Sequence, residues 1–463
     1  MTTKVAIVGS GISGLSCAWL LAKNQPDCEI TVFEASATLG GHTATQDVIS
    51  DGQEYAIDTG FIVYNTRTYP HFIALLKELG IEGQPTEMSF SVRNPLSKLE
   101  YNGHSLNSLF AQRRNLFRPR FWQFIFEILR FNKLCKARLL NPHNDEDTLA
   151  DLLDQNGFSP FFALHYVLPM GAAIWSSSLG DMANFPLSLF LRFFNNHGLL
   201  DVTNRPQWMV VPGGSREYIR RMQEKLPASV KLLTSTPVTG VVRTSGGVTL
   251  HSAQGEERFD QVVFACHSDQ ALSILGENAT DAEKSILGAL PYQANDVILH
   301  TDTHLLPREK RAWASWNYQL PNTLHPAGRG DFRDSNPAHN RRASVTYNMN
   351  ILQGLNAPQT FCVSLNPLTP IDESKVLFRA TYMHPVLNLA SHHAQQERYR
   401  INGHHNTWFC GAYWYNGFHE DGVNSARASS KACARAEPEF FRLFSAVRNA
   451  MVCLATSTRW LVR

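Results

Sequence analysis

A chain of 463 residues with 43% apolar and 18% charged side chains is that of a globular protein too long for one simple core, which predicts two domains or one discontinuous two-domain body. A net charge of +2 excludes binding of nucleic acid by overall electrostatics. Eight cysteines without a CxxC pair or metal-type spacing exclude a zinc site and a disulfide framework, so no metal is expected and a reduced, cytoplasmic setting fits.

The amino terminus runs from MTTKVAIVGSG directly into a strand, which leaves no room for a secretory signal. No apolar run reaches the ~20 residues that span a bilayer. Lys4 to Val8 is a short β-branched run, followed by GSGISG and a helix-like stretch. Gly9, Gly11 and Gly14 therefore form GxGxxG between strand and helix, the context in which this motif carries meaning. Gly9 permits the tight turn, Gly11 lets the backbone approach a pyrophosphate, and Gly14 allows the helix to pack on the strand. Ser10 and Ser13 sit between them as further cofactor contacts, and the phosphate belongs at the helix N-terminus. A second strand, Glu29 to Phe33, ends at Glu34, whose carboxylate is placed to accept hydrogen bonds from ribose hydroxyls. Ala35 follows it.

Next comes ASATLGGHTAT, in which Gly40 and Gly41 provide a second close backbone approach. This order of motifs resembles the flavin-containing amine oxidase and phytoene desaturase superfamily. The resemblance implies an α/β fold, with a discontinuous Rossmann-like FAD-binding domain of amine-oxidase type and an inserted α+β substrate domain. It implies FAD as cofactor, held non-covalently, although Cys410 and His42 are conceivable tethers. The family has arginine after the glycine doublet; His42 stands there, and imidazole is mostly neutral near pH 7.

Further motifs follow the family in order. DTGFIVYN brings Thr59 and Gly60 near the flavin, with Asp58 fixing a turn. WMVVPGGSREYIRRM returns the chain to the FAD domain, with Ser215 as expected helix N-cap. Val238 would lie on the adenine side, in one layer with the strand around Val262 to Ala265; an ordinary core valine is the alternative. TWFCGAYW resembles the last FAD strand, in which Gly411 would approach the pyrophosphate. GFHEDGVNSA resembles the following helix start, expected near Gly422 and Val423, whose dipole would face the flavin. Position 412 is alanine where the family has an acid, so that contact falls to Glu420 or Asp421. Phe418, Tyr413 and Trp414 are expected to wall an apolar channel. His419 is the candidate acid or base, or else hydrogen-bonded structure at a helix cap.

The resemblance divides the chain into an FAD-binding domain (1–85, 206–289 and 401–440) and a substrate domain (86–205 and 290–400). The first insertion carries, from Arg113 to Arg138, eight basic residues against the single acid Glu127, with six aromatic rings interleaved. Apolar positions cover over half the helix circumference, which suits either a buried helix or one that packs on the core and meets anionic lipid. In the second insertion, Trp316, Tyr318, Tyr347, Asn348 and His384 are the substrate-contact candidates, with His300, Trp313, Asn317 and Asn350 as further polar or aromatic positions.

These segments resemble a bacterial subgroup associated with cyclopropane fatty acid synthases and with a desaturase of methylated acyl chains. That implies a phospholipid-bound acyl substrate and peripheral contact with the inner face of a membrane. The expected activity is hydride removal from a C–H bond by an FAD-dependent oxidase or desaturase. A flavin amine oxidase is one alternative, and a non-catalytic flavin-binding partner of a lipid methyltransferase another.

Overall fold

The structure, a computed structural model, describes residues 2–140, 146–322 and 340–435. Residues 436–440 of the expected FAD-binding domain and 323–339 of the second insertion lie outside the described residues.

Five strands make one parallel sheet, in the order Val230–Leu233, Glu29–Phe33, Lys4–Val8, Gln261–Phe264, Thr407–Phe409. Apart from their first residues, Lys4–Val8 and Glu29–Phe33 are buried throughout, as strands covered on both faces must be. Alternation sends Val5 and Ile7 to one side and Ala6 and Val8 to the other. The first side is covered by helices Ile12–Asn24 and His419–Arg435 through Cys17, Leu21, Ala426 and Cys433. The second packs on a small antiparallel sheet of Val238–Thr244, Gly247–Ser252 and Gly255–Phe259. Val262 therefore belongs to the parallel sheet and Val238 to the layer beneath it, not to a common layer as expected. The separation follows from Ser235, whose φ of 51° turns the chain between Val230–Leu233 and Val238–Thr244.

A second, mixed sheet of seven strands draws on both insertions. Its order is Val376–Pro385, Tyr292–His300, Cys362–Leu365, Val345–Asn348, Trp316–Gln319, Phe90–Asn94, Leu99–Asn102. Only the Trp316–Gln319 and Phe90–Asn94 pair is parallel. Helices Pro119–Leu139 and Leu187–Asn196 share one apolar core with it. The ribbon Val63–Asn65, Trp208–Val210, Gln84–Thr86 joins the two units.

Candidate functional site

The amino-terminal turn lies at the carboxyl ends of Lys4–Val8 and Gln261–Phe264, the crevice where such sheets bind ligands. Gly9 has φ +105°, and a β-carbon there would lie 2.9 Å from the Ala265 carbonyl. On Gly14 it would lie 1.9 Å from the Gly9 oxygen, so helix and turn can close only on glycine. Gly11 differs: a β-carbon there would meet nothing within 4 Å, which leaves its backbone open on the side a pyrophosphate needs. Gly40 bridges to Gly11, and its N–H donates to the Ser10 carbonyl at 3.2 Å, so the two glycine clusters form one cradle.

Glu34 closes the ribose end. One carboxylate oxygen accepts from the Ser10 N–H (3.0 Å) and hydroxyl (2.6 Å), the other from the Ser36 N–H (2.8 Å). A carboxylate offers about four acceptor positions and three are taken, so capacity for one ribose hydroxyl remains. Val238 is close by in chain, because Thr236 N–H donates to the Glu34 carbonyl; Ala35 is exposed.

Thr59 and Gly60 back the cradle rather than line it. Thr59 and Phe61 donate N–H bonds to the carbonyls of Ala44 and His42, and a β-carbon on Gly60 would lie 2.1 Å from the His42 oxygen. Asp58 accepts from the N–H and hydroxyl of Ser215, both at 2.8 Å, and from Thr45. Ser215 is thus the capped residue, not the cap expected, because its own backbone is already helical (φ −63°, ψ −27°). Burial lifts the Asp58 carboxyl to about 6 against these bonds.

The carboxy-terminal glycines meet this turn. A β-carbon on Gly422 would lie 2.7 Å from Ile12 Cγ2 and 2.9 Å from Ser13 Oγ, so two helix N-termini stand side by side. The second helix begins at His419, earlier than expected, because the Asp421 carboxylate accepts from the Phe418 N–H at 3.0 Å and caps its own first turn. Asp421 is thereby a cap, and Val423 is core packed with Ile12 and Leu15. Glu420 accepts from His71 N–H (3.1 Å) and Phe72 N–H (2.9 Å), capping Pro70–Leu79 instead of replacing the missing acid. Burial raises its carboxyl to about 7.

Gly411 is in extended backbone, and its lack of a side chain makes room for the Tyr413 ring, which a β-carbon would meet at 2.1 Å. Tyr413 and Trp414 pack beneath the parallel sheet with Phe264 and Phe409, so they do not wall a channel between the domains. Of the three expected rings only Phe418 reaches the substrate domain, where it stacks on Phe193 at 5.0 Å. Cys410 faces Ser13 inside the core, an enclosed position at odds with a flavin tether.

His419 lies flat on Phe61, ring centroids 3.5 Å apart, and its Nε2 is 3.2 Å from both Thr43 Oγ1 and Tyr218 hydroxyl. Burial drives its pKa well below the usual value. The geometry supports the histidine of a helix start over an acid or base. Thr43, Phe61 and Tyr218 were not among the sequence candidates, since nothing in local spacing joins positions so far apart.

His42 sits among rings: His267 at 5.5 Å, Tyr382 at 5.5 Å and His384 at 5.7 Å. Burial, then the neighbouring imidazoles, bring His42 and His267 to about 4 and His384 to about 3, so all three are neutral at pH 7. His42 therefore offers no cation in place of arginine. Tyr382, whose hydroxyl is 3.1 Å from Thr59 Oγ1, was missed although it alternates with His384 on one strand face.

The other substrate candidates lie in the seven-stranded sheet. Trp316 and Tyr347 are cross-strand partners with rings edge-to-face at 5.1 Å. Tyr318 is core, and Asn348 caps Met349–Leu352. His300, Trp313, Asn317 and Asn350 are committed to structural hydrogen bonds with Ser364, Pro307, Ala314 and Gln359. No group of metal-ligating side chains occurs among the described residues.

An open Gly11, a ribose-hydroxyl acceptor at Glu34 and two adjoining helix N-termini fit a dinucleotide. Comparison with known proteins agrees. Residues 12–347 match the family model described as flavin containing amine oxidoreductase. The chain is 27% identical over 273 residues to amine oxidase [flavin-containing] A of Canis lupus familiaris, covering 54% of this chain and 47% of that one. It thus spans about half of that relative's length. Cyclohexylamine oxidase from Brevibacterium oxydans superposes with a TM-score of 0.65 at 15% identity, over 94% of this chain and 99% of that one. A CLA-producing fatty acid isomerase from P. acnes superposes at 0.63 and 14%, over 94% and 98%. The chain belongs to the flavin containing amine oxidoreductase family, and FAD is its cofactor.

Proposed function

We propose that this protein removes hydride from a C–H bond of an uncharged, apolar substrate, a phospholipid-bound acyl chain carrying a methyl branch or a double bond. The observation that carries this reading is the fate of the acids near the glycine turns. Asp58, Glu420 and Asp421 all hold backbone N–H groups, which leaves none of the three to pair with an ammonium ion. Aromatic rings supply the rest: Phe418 stacks on Phe193, and buried ring contacts continue through Phe194, Phe190 and Phe131 along helix Leu187–Asn196. Such packing makes the surroundings of Phe418 apolar, which suits an uncharged substrate.

FAD supplies a two-electron acceptor when bound, held by Gly9, Gly11, Glu34, Gly40 and Gly41. Loss of hydride from one carbon to that acceptor, and of a proton from its neighbour to water, leaves a carbon–carbon double bond. That the fold also serves a fatty acid isomerase is in keeping with an acyl substrate. The relative named an amine oxidase is the ground for the second reading, oxidation of a primary or secondary amine.

The test is anaerobic mixing of purified holoprotein with methylated or unsaturated phospholipid, or with amines, while the flavin absorbance is followed. Bleaching by the phospholipid alone is expected. Bleaching by amines alone establishes the second reading, and bleaching by neither favours a flavin-stabilised partner of a lipid methyltransferase.

A further inference from the structure

Helix Pro119–Leu139 has two apolar faces. Phe121, Phe124, Phe131 and Cys135 point into the substrate-domain core. Trp122, Phe126 and Leu129, spaced i, i+4, i+7, form a second stripe on the far side, where Phe126 is 64% and Leu129 48% exposed. Phe117, just before the helix, is 86% exposed and extends the stripe with Leu116. A surface helix needs only the inward face.

The exposed charge of the segment Arg113 to Arg138 has one sign. Arg114, Arg118, Arg130 and Lys133 are exposed beside it. The single acid of the segment, Glu127, is turned inward, where it accepts from the N–H (2.8 Å) and hydroxyl (2.6 Å) of Ser159. Trp122 is held in place, its indole N–H donating to the Leu116 carbonyl at 2.9 Å and its ring 5.3 Å from Phe110. Rigid aromatic side chains rimmed by arginine and lysine, with no exposed acid in the segment Arg113 to Arg138, complement an interface that is apolar below and anionic above.

We infer that this face, Phe117 with Trp122, Phe126 and Leu129, docks the protein on an anionic lipid bilayer. The inference deepens the acyl-chain reading, on which it rests for its purpose. The inward face of the same helix joins, through Phe131, the buried ring contacts that end at Phe418.

The experiment is co-sedimentation of full-length holoprotein with vesicles of phosphatidylcholine alone and with about a third phosphatidylglycerol, at low and high salt. Binding to the anionic vesicles that weakens with salt is expected, with a loss of at least about tenfold in Trp122→Ser/Phe126→Ser, which buries nothing new. A separate Arg118→Gln/Lys133→Gln variant should lose most of the preference for anionic lipid. Flavin content and melting temperature show that the variants fold.

Absence of vesicle binding, or binding unaltered in both variants, overturns the proposal. So does self-association in the ultracentrifuge that the Trp122→Ser/Phe126→Ser change abolishes, since the occupant is then a second copy of this chain. Vesicles of fully saturated, unbranched lipid keep the two readings separate, because docking registers there without oxidation. Detergent-dispersed substrate lipid that bleaches the flavin without vesicle binding sinks docking alone.

Discussion

Gly422 faces Ser13 across a gap that admits no side chain, since a β-carbon would lie 2.9 Å from the serine hydroxyl. That single approach brings the start of helix His419–Arg435 beside the start of Ile12–Asn24. A Gly422→Ala substitution gains helix propensity but crowds Ile12 and Ser13, for a net destabilisation of ~1–2 kcal/mol. Adding Ser13→Ala should recover ~0.5–1 kcal/mol, which a double-mutant cycle by chemical denaturation measures. Additive effects would show that the two helices tolerate separation.

Gly14 and Gly11 part company under the same substitution. Gly14→Ala sets a methyl 1.9 Å from the Gly9 oxygen and should cost ~3 kcal/mol or more of stability. Gly11→Ala meets nothing in the protein, so apoprotein stability should stay within ~0.5 kcal/mol while FAD affinity falls at least tenfold. Denaturation of the apoprotein and fluorescence titration with FAD distinguish the two.

Glu420 predicts a pH dependence of stability with a defined sign. Burial raises its folded-state pKa from 4.5 to about 7, so the fold prefers the protonated carboxyl. The stability it contributes is complete below pH ~4.5 and is lost as pH climbs through about 7, in all ~3 kcal/mol at 1.36 kcal/mol per unit. Glu420→Gln keeps an acceptor for His71 and Phe72 but has no charge to bury. Its melting temperature relative to wild type should therefore rise between pH 5 and 8; a constant difference would refute the assignment.

His419, held between Phe61, Thr43 and Tyr218, should act on stability rather than on proton transfer. His419→Ala should cost ~2–4 kcal/mol through the lost stack and the cavity. With His419→Gln, which keeps a polar end for Tyr218, flavin reduction should retain the pH profile of the wild type. Loss of an inflection in that profile would restore the histidine as an acid or base.

Acid precipitation should leave the flavin in the supernatant, with a colourless pellet, because Cys410 lies against Ser13 in the core. Yellow protein after washing would mean a covalent link.

The amino-terminal half of the site was legible because each glycine there answers a separate steric demand that spacing alone reveals. The carboxy-terminal half was legible in kind but not in detail. WFCGAYWYNGFHEDGVNSA reads as a strand, a glycine approach and a helix start, yet which ring faces which layer depends on the sheet it joins, and Tyr413 and Trp414 went under it. Caps shifted the rest, since Asp421 moved the helix start to His419 and Glu420 served a different helix, 348 residues away from Phe72. The segment Arg113 to Arg138 left a buried and a lipid-facing helix in competition; the helix has one buried face and one exposed apolar stripe.

The parallel sheet takes its second strand pair from Lys4–Val8 and Glu29–Phe33 but its outer strand from Thr407–Phe409. A ribosome working at roughly 5–20 residues per second needs about 7–29 s to travel from Gln261–Phe264 to Thr407–Phe409. Through that interval Gln261–Phe264 presents a bare, β-branched margin to other nascent chains. Yield in a host cell should accordingly depend on chaperone supply and on growth temperature more than the mature protein's resistance to heat would suggest.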